Sequence, residues 1–189
     1  MSRIPNILDR PVPKINKEVS LSAFSFLFSE MVQYNQNRVM SISDLEKRLE
    51  EVGYRVGLRV LELLGHRERA QRRRVRLLPT LQFVSTNVWK YLFGKQADSL
   101  ERSTENEDEY MIHEAEPLPN AFISVPPDLG HLNCAAFTAG VVAGALDGAS
   151  FPARVTAHGV AVEGGPRREK TVFLVKFDRE VVDREIKLG

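Results

Sequence analysis

Cysteine is nearly absent from this chain of 189 residues: Cys134 is the only one, which removes intramolecular disulfides and any multi-cysteine metal site. It is compatible with a reducing compartment. No run of about 18 apolar residues occurs, so no segment is expected to span a membrane. The first 17 residues hold Arg3 and Arg10 but lack the apolar stretch of a secretory signal. An excess of either charge is missing too, with 26 Lys and Arg against 25 Asp and Glu and a net charge of +1. That balance speaks against a surface built as a whole to attract nucleic acid or anionic lipid. No Gly-rich phosphate loop follows a strand, no G-x-S-x-G is present, and the four histidines show no ligand spacing. What is present is an apolar fraction of 43% with 27% charged residues, ordinary for one globular, soluble intracellular domain with a sizeable core.

Residues 1–17 read as a flexible tail, because Pro5, Pro11 and Pro13 fix the backbone without supplying a periodic apolar face. The single domain then runs over 18–189. From Leu21 to Val39, apolar residues recur at spacings of three and four, which predicts a helix. Ser43 and Glu46 form a capping box before a second helix bearing Leu45, Leu49, Val52, Val56, Val60 and Leu64. A third runs from Pro79 to Leu92 and stops at Gly94. Lys95 to Glu109 is polar and reads as a surface loop.

The period then changes. Tyr110–His113 and Ala121–Val125 are strand-like, and a small-residue helix follows, capped near Asn133 and ended at Gly148. Ala153–Val162 and Thr171–Phe177 form a second hairpin. The order αααββαββ contains no βαβ crossover, so the class is α+β with an antiparallel sheet.

Candidates for catalysis are thin. Cys134 starts the small-residue helix, where the dipole could lower a thiol pKa, with His113, His131 or His158 as a base. The competing reading is a small buried thiol where helix meets sheet. The sequence supports no catalytic residues, no metal and no cofactor. The densest charge cluster spans His66 to Arg76, with Arg67, Arg69, Arg72, Arg73, Arg74 and Arg76. It could hold phosphates or an acidic partner, or be a solvated helix end. It lacks interleaved aromatics, so single-strand recognition is not expected.

The most informative feature is the width of the first helix's apolar face. Leu21, Phe24, Leu27, Phe28, Met31, Val32, Tyr34 and Val39 cover an arc of roughly 160°, wider than a surface helix needs, and Phe26 falls outside even that. The second helix carries Leu58 and Leu61 off its main stripe, and Gly53 and Gly57 four apart permit close helix approach. Such helices are covered on more than one side, either by the rest of the domain or by a second protein.

The stretches EVSLSAFSFLFSEMVQY (18–34), VWKYLFGKQADSLE (88–101), EPLPNAFISVP (116–126) and LNCAAFTAGVVAGALDGASFPARVTAH (132–158) closely resemble the small-subunit family of the TRAPP vesicle-tethering complex. The likeness runs from about Glu18 to Phe177. It implies helices packed on one side of a four-stranded antiparallel sheet, and a heterodimer with a sister subunit through the first two helices. Phe24, Leu27, Phe28, Met31 and Leu61 are then the partner-binding candidates. It further implies a non-catalytic scaffold in an assembly that tethers ER-derived vesicles at the Golgi and exchanges nucleotide on Rab GTPases. Rab and membrane contacts would be made through the complex, so the chain would be cytoplasmic and peripheral at endoplasmic reticulum and Golgi membranes, without nucleic acid. Some members carry a fatty acyl chain on a cysteine before the third helix; here that region is near Arg73 and has no cysteine, so no acylation is expected there. The last hairpin, with Gly164-Gly165-Pro166-Arg167-Arg168, is longer than the family's. From another class, the alternative is a stand-alone phosphate or membrane-surface module using Arg67 to Arg76.

Overall fold

The computed structural model describes residues 18–68, 75–126, 129–130, 132–161 and 169–188, with 68 and 169 described by backbone alone. Helix α1 (Leu21–Gln36) leads into α2 (Ile42–Glu68). Then α3 (Leu77–Phe83), a π-helical segment (Val84–Val88) and α4 (Trp89–Phe93) run on as one rod. Strands β1 (Ser99–Arg102) and β2 (Glu109–Glu114) make the first hairpin, and α5 (Ala136–Gly148) crosses to β3 (Ala153–Ala161) and β4 (Glu169–Phe177). A last helix, α6 (Arg179–Leu188), follows. The sheet is antiparallel throughout, in the order β1-β2-β4-β3. This is the α+β class and the element order expected, with a terminal helix added.

Alternation along the strands fixes which way the sheet faces. Tyr110, Ile112 and Glu114 point inward, opposite Val175, Phe173 and Thr171 on β4. The indole of Trp89 meets Phe173 edge-on at 5.5 Å and donates from Nε1 to Glu114 Oε2 at 2.9 Å. Lys95 Nζ donates to the other oxygen of Glu114, so this buried carboxylate is both paired and hydrogen-bonded. That contact raises the Lys95 pKa above its ordinary value, against the opposing effect of burial.

Several local signals act as read, and others are displaced. Gly94 ends α4 in the left-handed region at φ +77°, with its N–H on Lys90 O at 3.0 Å. The cap of α2 is Ser41 with Asp44, not Ser43 with Glu46. Ser41 Oγ accepts from Asp44 N–H at 3.1 Å and donates to Asp44 Oδ2 at 2.7 Å. Glu46 instead accepts from Asn133 N–H at 2.8 Å, tying α2 to the entrance of α5. The N-cap of α5 is Ala135, two residues past the expected Asn133, and Asn133 instead closes the turn before the helix, its Oδ1 taking Ala135 N–H at 3.0 Å. Ala121–Val125 is not a strand: Pro117 precedes and Pro119 sits inside a 3₁₀ turn (Leu118–Asn120), Pro126 follows the segment, and what lies between is irregular. The partner of β2 is β1, inside the stretch read as loop. Its sequence SLER is short and polar because it is an edge strand with Ser99 and Glu101 on the outer face. Helix α3 begins at Leu77, two residues before the expected start, with its first N–H on Glu185 Oε2 at 3.0 Å.

The tightest seam is between α2 and α5. A Cβ on Gly53 would lie 1.9 Å from Phe137 O, and one on Gly57 would lie 2.2 Å from Val141 O. Reciprocally, Gly140 faces Glu50 O at 2.1 Å and Gly144 faces Tyr54 O at 2.1 Å. Two Gly-x-x-x-Gly edges therefore meet backbone to backbone, and Tyr54 reaches across to donate to Asp147. The spacing that permits close approach in the sequence serves an approach inside the chain.

Candidate functional site

Helix α1 is amphipathic in the wrong proportion for its neighbours. Among its apolar side chains, Phe28 and Val32 are buried, and Phe24 and Met31 are half-buried against the core. Phe28 stacks on Phe24 at 5.9 Å and meets Phe137 of α5 edge-on at 5.2 Å. This fastens one stripe of α1. Leu27, 70% exposed, and Tyr34, 54% exposed, are seven residues apart and share a second stripe that faces away. Phe26, one position earlier and so about 100° round the helix, is 78% exposed.

The five residues singled out from the sequence thus separate. Leu27 is presented outward; Phe24 and Met31 lie on the margin; Phe28 belongs to the core. Leu61 is half-buried and, with Leu58, covers the end of α5: a Cβ on Gly148 would come within 2.9 Å of Leu61 Cδ2 and 3.0 Å of Leu58 Cδ2. The apolar surplus of α2 is therefore consumed by α5, while that of α1 is not consumed by the described residues. Phe26 and Tyr34 complete the exposed surface. Phe26 was legible as an apolar residue outside the arc, and Tyr34 as a member of it.

Around this surface the polar groups are simple. Arg38 stacks its guanidinium 3.5 Å over the Tyr34 ring and donates from Nη1 to Tyr34 O at 3.0 Å, which holds the ring in place. Met40, fully exposed, stands on the connection to α2. On α2, Arg48 pairs with Glu51 at 3.2 Å and Arg59 with Glu62 at 3.6 Å, and on α1 the exposed Glu30, three residues from Leu27 and four from Phe26 and Tyr34, sets one carboxylate within the apolar strip. A largely apolar strip edged by polar groups and carrying one carboxylate has the make-up of a protein–protein contact.

The other candidates resolve differently. Arg67 Nη1 donates to Tyr91 OH at 3.0 Å, and Arg76 is clasped to α6, with Nε on Glu185 Oε1 at 2.8 Å and Nη1 on Leu188 O at 2.9 Å. Arg69, Arg72, Arg73 and Arg74 lie outside the described residues, as does the loop 164–168. Cys134 is buried, and burial, aided by the Glu46 carboxylate, pushes its thiol up to about 11. Both effects oppose the helix dipole and favour the buried-thiol reading over the nucleophile reading. Among the described residues no group of three His, Cys, Asp or Glu could hold a metal ion, and no helix is long and apolar enough to cross a membrane.

Comparison with known proteins agrees with the fold. Residues 24–178 match the family model of the Transport protein particle (TRAPP) component. The chain is 55% identical over 185 residues to trafficking protein particle complex subunit 5 of Dictyostelium discoideum, covering 97% of this chain and 99% of that one. It is 45% identical over 179 residues to the Homo sapiens protein of the same name, covering 95% and 91%. Subunit 31 of the Saccharomyces cerevisiae particle is 30% identical over 230 aligned positions, covering 89% and 79%. Among solved structures, a trafficking protein particle complex subunit 3 from Naegleria fowleri, covalently bound to palmitic acid, superposes with a TM-score of 0.68 at 18% identity, covering 84% of this chain and 95% of that one.

Proposed function

The chain belongs to the TRAPP component family, and from that membership we propose that it is a non-catalytic structural subunit of the vesicle-tethering particle, paired with a sister subunit of the same fold across α1 and the outer side of α2. One observation carries the reading: Phe26 and Leu27 stand mostly exposed on a helix whose opposite stripe is already buried. Full burial of a Leu side chain contributes about 1.5–3 kcal/mol. An exposed Leu–Phe–Tyr strip is therefore a costly surface for a lone chain and a strong centre for an interface.

The particle in turn tethers vesicles between endoplasmic reticulum and Golgi and exchanges nucleotide on a Rab GTPase, with this subunit supporting neighbours that touch the GTPase. Membrane association is peripheral and made through the assembly. The names of the relatives, each a subunit of a trafficking particle, support the assembly.

Co-expression with a sister subunit tests it. Leu27→Asp places a carboxylate in the seam without touching the core, and loses at least about 2 kcal/mol of association, roughly thirtyfold in Kd. Phe28→Asp would be a poorer test, because Phe28 is 3% exposed and its loss strikes the fold itself. Undiminished pairing of a well-folded Leu27→Asp chain would refute the interface.

A further inference from the structure

The free side of an antiparallel sheet is normally polar. Here the side turned away from the helices carries Met111 opposite Leu174 and His113 opposite Val172. Val172 is buried at 7% exposed and Met111 and Leu174 are half-buried, although none of the three joins the main cluster under the helices. Strand β3 continues the face with Thr156, His158 and Val160, the last 40% exposed. On β1, Ser99 and Glu101 flank it.

His113 adds a second, independent sign. It is 8% exposed, and neither ring nitrogen has a hydrogen bond among the described residues. Glu101 Oε2 stands 3.4 Å from its Nε2. A buried polar group left unpaired costs about 1–3 kcal/mol, which an outside partner can recover.

The rim supplies a sign of charge. Lys176 is occupied by Glu109 at 2.9 Å and Asp108 at 3.7 Å. Arg154 and Lys170, at opposite ends of the β3–β4 half of this face, make no ion pair among the described residues; Arg154 acts on Glu50 only as a nearby charge. Among the described residues, the uncommitted charge on the β3–β4 side of the rim is positive, whereas Glu101 on the β1 side stands beside His113.

We propose that this outer face is a second docking surface, which receives an acidic amphipathic helix of another subunit lying along β2 and β4. The two apolar rows are two residues apart along the strands, about 6.7 Å, and a helix repeats i to i+4 at about 6 Å, so successive turns of one apolar stripe seat on both rows. Its carboxylates meet Arg154 and Lys170, and one of its polar side chains satisfies His113. The inference rests on the reading of the chain as a complex subunit. It makes the chain a linker, with one neighbour on α1 and another across the sheet.

The test uses the assembled particle, purified through a tag on the full chain, with subunit ratios measured by mass spectrometry. Leu174→Glu, and separately Arg154→Glu with Lys170→Glu, should reduce one subunit at least tenfold while the sister on α1 stays at its wild-type ratio. Leu27→Asp should do the reverse, so failure of the α1 reading is distinguishable from failure of this one. Carbodiimide coupling should join Lys170 to a carboxylate of the lost subunit. If Leu174→Glu loses both neighbours, the charge reversal at the rim decides. Unchanged ratios in the charge-reversed particle would overturn the proposal. So would unchanged ratios with lost sedimentation on phosphatidylserine vesicles, which would make the face a membrane contact.

Discussion

Replacing Gly57 by alanine should destabilise the domain, although helix propensity alone says the opposite. Alanine in a helix interior is favoured over glycine by about 1 kcal/mol. At Gly57 the new Cβ would stand 2.2 Å from Val141 O, 2.8 Å from Ala145 N and 3.0 Å from Val141 C, all of them backbone atoms. A carbon and a carbonyl oxygen come no closer than about 3.3 Å in ordinary contacts, so the shortfall is about 1 Å. No rotamer change can relieve it, because none of the obstructing atoms belongs to a side chain. The helices must part along a seam that also holds Gly53, Gly140 and Gly144, and a radial gap of 0.5–1 Å forfeits a quarter to a half of each dispersion contact. Overpacking of this kind costs about 1–3 kcal/mol and exceeds the propensity gain where backbone cannot yield. We expect a net loss of about 2 kcal/mol, or a melting temperature lower by about 4–8 °C for a chain of this size. Gly65 is the internal control: it lies on the same helix, is exposed, and has nothing within 4 Å of an added Cβ. Gly65→Ala should leave stability unchanged or raise it by up to about 1 kcal/mol. Thermal and urea melts of the two variants, alone or in complex with the same sister subunit, read the sign. Equal stabilisation by both would refute the reasoning, since the seam would then have room. Gly57→Ala combined with Gly144→Ala should cost less than the sum of the two, because helices already parted accept the second methyl.

Two further outcomes follow from contacts elsewhere. Cys134, with its thiol pushed up to about 11 from an ordinary value of 9.0, holds about a hundredfold less thiolate at pH 8 than a free thiol. Iodoacetamide should therefore label the native chain at least a hundredfold more slowly than the urea-unfolded chain, and comparable rates would refute the buried placement. Glu185 accepts from both Arg76 and the first N–H of α3, so Glu185→Ala should cost about 1 kcal/mol and detach α6. The readout is hydrogen exchange, with Leu77 N–H and the α6 amides losing protection together; protection unchanged at both would show that the clasp does not hold the helix.

How far the sequence could be read depended on whether the signal was local. The apolar spacing of α2, the small-residue run of α5 and the stop at Gly94 are properties of a few neighbouring residues, and the structure keeps them. Strand β1 failed that test. Leu100 is the sole apolar residue of SLER, and the strand exists because Leu100 and Arg102 register against Ile112 and Tyr110. Helix α6 went unread for a related reason: it has a single fully buried residue, Val181, and is fastened by Arg76 and Leu77, more than a hundred positions earlier. The cap of α2 slipped by two residues because Ser41 and Ser43 each have an acid three positions on, Asp44 and Glu46, and only the fold engages Glu46 with Asn133.

The candidate interface shows the same limit more sharply. A surplus of apolar residues on a helix states that a second cover is needed, and it does so equally for α1 and α2. What differs is geometry. On α2 the surplus stands beside Gly53 and Gly57, which let α5 approach until its own backbone becomes the cover, with Leu58 and Leu61 closing the end. On α1 no glycine interrupts Leu21 to Gln36, so no neighbour can come that close. Contact with the domain is made through the large rings of Phe24 and Phe28, which hold the rest of the helix off the core. A helix fastened by its rings keeps its far side in solvent, and that side carries Phe26, Leu27 and Tyr34. Small residues turn apolar width into core and bulky ones leave it in solvent, so the distribution of glycine separates the surplus that α5 covers from the surplus that the proposed partner would cover.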